Sequence, residues 1–245
     1  MERGGSPAGK ASLPVPALPG VGPRLAERLR RLGIRSAEDV LLHLPSRYQD
    51  RSRITPIGAL VPGEEAQIDA EIAGREITER GRRFLLCHLR DATGALTLRF
   101  FHFSPAQEQL FGQAGVRLRC FGEVRQGYSG LEMIHPECRR LDAGAPPAPD
   151  RLTPVYPSTA GLQQFTLRAL AERPLAQLDA AVLLPELLPS ALRLQLQLMS
   201  VADALRLLHQ PPSAASLEEL DNGRHPARRR LAFEELLAHQ LSLRR

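Results

Sequence analysis

Ala95-Leu96-Thr97-Leu98-Arg99-Phe100-Phe101-His102-Phe103 reads as the third strand of a run from Glu65 to Arg140 in which apolar and polar residues alternate. Side chains point to opposite faces along a strand, so Leu96, Leu98 and Phe100 share one face and Thr97, Arg99, Phe101 and Phe103 the other. Phe100 and Phe101 therefore cannot both be core. Working outward, the same alternation predicts strands over Ala66 to Ile77, Arg82 to Arg90, Val116 to Arg125 and Leu131 to about Arg140. Asp91-Ala92-Thr93-Gly94 and Gly127-Tyr128-Ser129-Gly130 supply turns, because Asp and Gly accept the backbone conformations such links need. Pro105 to Phe111 has helical spacing. Five strands with a helix between the third and fourth is the order of an oligonucleotide-binding (OB) barrel. With helical sequence on both sides, the expected fold is α+β: a five-stranded OB-fold β-barrel flanked by an N-terminal helical hairpin and C-terminal helices.

The fourth strand repeats the pattern of the third, with Val116, Leu118, Cys120 and Val124 on an apolar face and Arg117, Arg119, Phe121, Glu123 and Arg125 opposite. An Arg-flanked Phe on each of two strands suits a base-stacking platform, since a π-face accepts any base and guanidinium groups follow phosphates. The candidate nucleic-acid-binding residues are thus Phe101, Phe121, Arg99, Arg117, Arg119, Arg125 and, in the turn, Tyr128. The competing reading is that helices outside the barrel cover Phe101 and Phe121. Charge does not decide between them, because Glu64 to Leu141 carries eleven Arg against eleven Asp plus Glu. Any nucleic-acid site there is a local face and not a basic domain.

The 245 residues bound the chain to one to three domains, and 43% hydrophobic residues suffice for real cores. No apolar run approaches the roughly 18 residues of a membrane span, and the Gly- and Pro-rich N-terminus has no secretory apolar region. A cytoplasmic protein without membrane association is expected. Cys87, Cys120 and Cys138 show no paired or zinc-like spacing, so no metal and no disulfide is expected. Net charge is +5, compatible with a polyanionic partner, and Lys10 is the sole lysine.

Residues 1–17 read as disordered. Within them, Gly4 to Lys10 matches most of a phosphate-binding loop, but no strand precedes it, Pro7 interrupts it, and Ala11 stands where a hydroxyl would hold magnesium. Residues 18–62 form a helical hairpin and a connection. A Gly20-Val21-Gly22 turn leads into a helix with Leu25, Leu29 and Leu32 on one side, ended by Gly33, and Ser36 caps a second helix from Ala37 to Leu44. The turn resembles half of a helix-hairpin-helix, whose amides bind phosphate, or else is a packing hairpin. Tyr48 to Arg53 reads as a polar extended connection. The barrel occupies 63–141 and a Pro-rich linker 142–165, with Leu152 to Pro157 too proline-rich for a helix or a central strand. Residues 166–245 are helical: Thr166 to Arg173, Pro174 to Leu184, Ser190 to Met199, Val201 to His209, and Pro226 to Arg245. Nothing caps that last helix, which suggests that the polypeptide continues.

Several uncommon strings occur in one order: Leu41 to Arg51, Ile57-Gly58 with Leu60-Val61-Pro62-Gly63, Leu96 to Phe103, Glu132 to Glu137, Leu152 to Pro157, and His225 to Leu231. In these the chain resembles the RecG family of bacterial ATP-dependent DNA helicases over nearly all of residues 18–243. The resemblance implies that the barrel is a wedge domain at the branch point of a replication fork or Holliday junction, where aromatic side chains stack on junction bases. It lands on Phe100 and Phe101, and alternation selects Phe101. It also implies that the chain is the N-terminal third of such a protein, acting in recombination, DNA repair and fork regression, with ATP and magnesium used by a motor beyond Arg245. The chain itself shows no catalytic constellation and no cofactor site, so it should bind branched DNA as a monomer without catalysis. Two other classes fit the residues less closely: a single-strand- or tRNA-binding OB module, and a protein-interaction scaffold.

Overall fold

The structure, a computed structural model, describes residues 13–78, 83–142, 144–145, 147–177 and 183–244. The chain divides into two compact units, one formed by Asp50–Asp150 and the other by the chain on either side of it.

In the flanking unit, the expectation of disorder fails for residues 13–17. Pro14 bridges to Ser36, the Val15 N–H donates to the Arg35 carbonyl, and Val15 is buried in a 3-10 turn. The Gly4 to Lys10 string lies outside the described residues. Helix α1 (Pro23–Arg31) starts on a proline, whose missing N–H would be unpaired there anyway. It ends before Gly33, whose φ of 80° is the left-handed conformation that closes helices. Ser36 caps α2 (Ala37–Leu42) reciprocally: its hydroxyl accepts from the Asp39 N–H while the Asp39 carboxylate accepts from the Ser36 N–H. This helix stops at Leu42, short of the predicted Leu44. The supposed polar connection begins as a strand, β1 (Arg47–Gln49), with Tyr48 buried and its hydroxyl donating to the Leu208 carbonyl at 2.7 Å. Burial raises the Tyr48 pKa to about 12.

The central unit holds β2 (Glu65–Thr78), β3 (Phe84–Arg90), β4 (Ala95–Phe100), helix α3 (Pro105–Phe111), β5 (Arg117–Gly127), β6 (Gly130–Ile134) and β7 (Glu137–Arg140). The strand order is β2-β3-β4-β6-β5-β7, and β2 also pairs with β5, so the pairings run in a ring through the first five strands of that order. The parallel β4–β6 pairing in an otherwise antiparallel sheet completes the OB order. The sheet has six strands and not five, because the predicted fifth strand breaks at His135-Pro136. Pro136 has no N–H to give a ladder, and His135 takes a φ of 49°. The core is Ile68, Ile72, Leu85, Leu89, Leu96, Leu98, Phe100, Phe111, Leu118, Val124 and Met133 with their neighbours. α3 spans its predicted residues, held by a reciprocal Ser104–Gln107 cap. The β3–β4 turn is anchored from outside the sheet: the Asp91 carboxylate accepts from the Ile57 N–H at 2.8 Å and Thr93 Oγ1 from the Gly58 N–H at 2.9 Å. A Cβ on Gly58 would stand 2.9 Å from the Thr93 carbonyl oxygen, which explains glycine there.

Returning to the flanking unit, Leu152 to Pro157 does contain a strand, the short β8 (Thr153–Val155), which pairs only with β1. A two-stranded ribbon tolerates Pro154 as a central strand would not. The two helices predicted on either side of Pro174 are one, α4 (Gln164–Gln177), with that proline inside it; residues 178–182 lie outside the described set. α5 (Ser190–Gln195) ends before Gln197, at φ 52°, and not at Met199. α6 (Val201–His209) matches its prediction, α7 (Leu217–Asp221) was not anticipated, and α8 (Pro226–Ser242) ends near the predicted terminus. The N-terminal hairpin shares one core with α4 and α6, made of Val15, Leu29, Ala37, Leu41, Tyr156, Leu167, Val201 and Leu205, while Leu220 of α7 and Ala227 of α8 pack in a second cluster with Tyr48, Leu152 and Leu208.

Among the polar groups buried in this unit are Arg230 and His209. Arg230 is fully buried, with its guanidinium on the Glu186 and Glu234 carboxylates (2.8 Å each) and the Met199 carbonyl. His209 accepts from the Tyr156 hydroxyl at Nδ1 (2.7 Å) and donates from Nε2 to the Leu41 carbonyl (2.8 Å). A carbonyl can only accept, so the ring carries its proton on Nε2. Burial holds the His209 pKa below its usual value.

Candidate nucleic-acid interface

Alternation holds along β4. Leu96, Leu98 and Phe100 are buried, Phe100 with 2% exposure and its ring stacked on Phe111 at 5.0 Å. The strand ends at Phe100, so Phe101 is the first residue of the segment leading to α3. It is partly exposed, edge-on to Phe84 at 6.4 Å and beside the His135 ring at 5.7 Å. Phe103, also half-buried, packs on the core and lies under the Arg83 guanidinium at 4.8 Å. Phe84, Phe101, Phe103, His102 and His135 thus form an aromatic group beyond the end of β4.

Phe121 is not a second stacking platform. It sits on the outward side of β5 as its parity requires, yet it is 5% exposed. Its cross-strand neighbours are Gln67 on β2 and Glu137 on β7. The Gln67 amide donates to the Arg51 carbonyl at 2.6 Å, and Glu137 takes the Arg51 guanidinium at 2.7 and 2.9 Å. Held at both ends, Arg51 covers the Phe121 ring at 4.0 Å. Outward-facing here means covered, and no face is left for a base.

Register also decides the arginines. Asp69 lies opposite Arg119, and the two form a two-pronged ion pair at 2.7 and 2.8 Å. That hydrogen-bonded carboxylate raises the Arg119 pKa. The parallel β4–β6 pairing sets Thr97 opposite Glu132, whose carboxylate takes Arg99 at 2.9 and 2.7 Å, and the same guanidinium lies 5.2 Å from the Phe84 ring. Both arginines, predicted to follow phosphates, are thus committed to carboxylates in the sheet. Arg117 is exposed beside an open cleft of about 300 Å³ lined by Asp69, Glu71, Arg90, Asp91 and Ala92. Arg125 is exposed and pairs with Glu123 at 2.8 Å. Tyr128 projects fully exposed from the β5–β6 turn.

The structure therefore brings Arg99 and Phe101 together and sets Phe121, Arg119, Arg117, Arg125 and Tyr128 elsewhere on the sheet. Phe84, Phe103 and His135 were missed as members of the group around Phe101. The signal for His135 was the His-Pro pair, since proline in a predicted strand marks an irregular backbone. Cys87 and Cys120 are buried and Cys138 is half-buried; burial raises the Cys87 pKa to about 12. Among the described residues no group of three His, Cys, Asp or Glu is arranged to hold a metal ion, and no helix is long and apolar enough to cross a membrane.

A ring of strands in OB order, with an aromatic group beyond one strand end and helices from both flanks of the chain, defines an OB-fold module with a helical partner unit. The family model of the RecG wedge domain matches residues 15–178, and the chain belongs to that family. It is 44% identical over 233 residues to the ATP-dependent DNA helicase RecG of Escherichia coli (strain K12), covering 95% of this chain and 33% of that protein. The RecG of Haemophilus influenzae is 41% identical over 235 residues, with 96% and 33% covered. A solved structure of RecG bound to a three-way DNA junction matches with a TM-score of 0.69 at 27% identity, covering 99% of this chain and 32% of that one. The chain thus spans about a third of the length of the relatives it matches.

Proposed function

We propose that this chain is the branched-DNA-binding wedge portion of an ATP-dependent DNA helicase that remodels replication forks and Holliday junctions in recombination and repair. The observation that carries the reading is Phe101, a partly exposed ring just past the end of β4, backed by Phe84 and His135. A ring fixed at the edge of a sheet offers a stacking surface to a base that has lost its own neighbour, as bases at a branch point have. The relatives' names supply the helicase, and the junction in the related complex supplies the substrate class. ATP and magnesium belong to the motor of the longer protein, and this portion acts as a passive separator against which DNA is drawn. We assign it to a cytoplasmic monomer.

The test is a comparison of the purified chain on a three-way fork, a plain duplex of the same sequence and the corresponding single strand. The reading requires the fork to bind most tightly. Preference for the unbranched single strand would instead make it a general OB module, and no affinity for any of the three would make it a protein-binding scaffold.

A further inference from the structure

His135 is the point at which the predicted fifth strand breaks, and its imidazole is placed on the segment that carries Phe101. Its own N–H donates to the Arg99 carbonyl at 2.9 Å, which ties its backbone to the end of β4. Its Nε2 lies 3.1 Å from the Phe101 N–H, and a backbone N–H can only donate, so that nitrogen accepts. The ring stands edge-on to Phe100 at 5.7 Å and stacks with His102 at 6.1 Å and 24°. One side chain therefore touches three consecutive residues where the sheet ladder has ended. The left-handed φ of 49° aims it there, a conformation that only a few residue types adopt without cost. We propose that His135 is a positioning residue for junction recognition: in its neutral form it holds the backbone of Phe101 so that the Phe101 ring is presented to a junction base. This rests on the reading of Phe101 as the stacking residue.

A protonated imidazole carries hydrogen on both nitrogens and has no lone pair for the Phe101 N–H. The neutral form is the one the surroundings favour, since desolvation against the neighbouring rings, and then His102, lower the His135 pKa. The titratable side chain facing it is His102; Arg99 is engaged by Glu132, and Glu137, next along the chain after Pro136, engages Arg51. As pH falls through the His135 pKa, below 6.5, the clasp opens. Fork-selective binding should then fall while duplex binding holds or rises with the added positive charge. That sign is opposite to the one a histidine touching phosphate would give.

The experiment measures fork and duplex affinity of the whole chain between pH 5 and 8, with 2-aminopurine at the branch point reporting base stacking. Wild type, His135→Ala, His135→Asn, His102→Ala and Phe101→Ala are compared, each with a thermal melt. His135→Ala should lower fork affinity about 3- to 10-fold, the equivalent of one hydrogen bond, and leave duplex affinity unchanged. His135→Asn should restore much of the fork affinity, because asparagine tolerates positive φ and its carbonyl accepts, but it should remove the pH dependence. His102→Ala should keep that dependence. If Phe101→Ala abolishes fork preference while His135→Ala retains both the preference and the pH profile, the role of His135 is refuted and that of Phe101 stands. If wild type shows no fork preference, or Phe101→Ala keeps it, both fail together.

Discussion

Replacing Phe100 and Phe101 one at a time separates folding from recognition, because the two adjacent rings have opposite surroundings. Phe100 is 2% exposed and stacks on Phe111 at 5.0 Å within a core of leucines and isoleucines. Truncation to alanine removes a buried ring from a close-packed site, at a cost of about 3 to 5 kcal/mol for loss of transfer energy plus the cavity left behind. Phe101 has a ring edge on Phe84 and the His135 imidazole beside it, and is partly exposed. Because most of its surface is buried, truncation forfeits most of the roughly 1.5 to 3 kcal/mol gained by fully burying such a ring, about 1 to 2 kcal/mol of stability. On DNA the order reverses. A lost base–aromatic stack weakens binding by roughly 1 to 3 kcal/mol, about 5- to 150-fold in Kd. Paired thermal melts and fork-binding titrations measure both quantities on both variants. If Phe101→Ala destabilises as much as Phe100→Ala while the protein that stays folded binds forks unchanged, Phe101 is a packing residue and the site assignment is wrong.

Arg119→Ala should destabilise the chain by about 1 to 3 kcal/mol in a denaturant melt, since it leaves Asp69 half-buried without its ion pair. Arg117→Ala, at an exposed position, should leave the melt unchanged and lower the salt dependence of fork binding by about one unit in the log–log slope, whereas Arg125→Ala, whose charge Glu123 already balances, should lower it by less. Arg230→Met should cost about 3 to 5 kcal/mol, because Glu186 and Glu234 then face a buried site without their cation; a melt equal to wild type would refute this. For His209 the folded-state pKa is lowered from 6.5, so between the two values the unfolded chain binds more protons. Its contribution to stability is therefore full above pH 6.5 and is lost as pH falls toward the folded value, and His209→Gln should flatten that part of the pH–stability curve.

The strands were legible because alternation is a local property that any half-buried strand must show, whatever lies opposite. The same is true of α3, where Ser104, Pro105 and Gln107 write a helix start into four residues. What covers an outward-facing residue is not local. Parity placed Phe121 away from the core correctly, but Arg51, which closes over it, comes from the chain before β2 and is fixed by Gln67 and Glu137 on two different strands. Register was equally out of reach: with eleven acids among the barrel residues, no pattern says that Asp69 faces Arg119 or that Glu132 reaches Arg99. Pro136 was a readable warning that the last strand breaks, and His135 gains its position from that break.

The pairing of these arginines bears on how a wedge discriminates. Arg99 and Arg119 spend their charge on Glu132 and Asp69, Arg75 and Arg83 lie against Glu108, and Arg125 pairs with Glu123. A strongly basic face would bind duplex of any shape through released counterions, and a branch would then add little to an already tight complex. A sheet whose positive charge is largely balanced gains little from phosphates alone. On the proposed reading its fork preference would come from a feature that duplex lacks, namely an unstacked base at the branch. The ring that can meet such a base is at the end of β4, where the ladder stops and the imidazole of His135 takes over the next backbone N–H. If this portion reads junctions as proposed, a balanced sheet and a fixed aromatic edge are complementary: the first would keep binding to unbranched DNA weak, so that the second could decide where the protein stays.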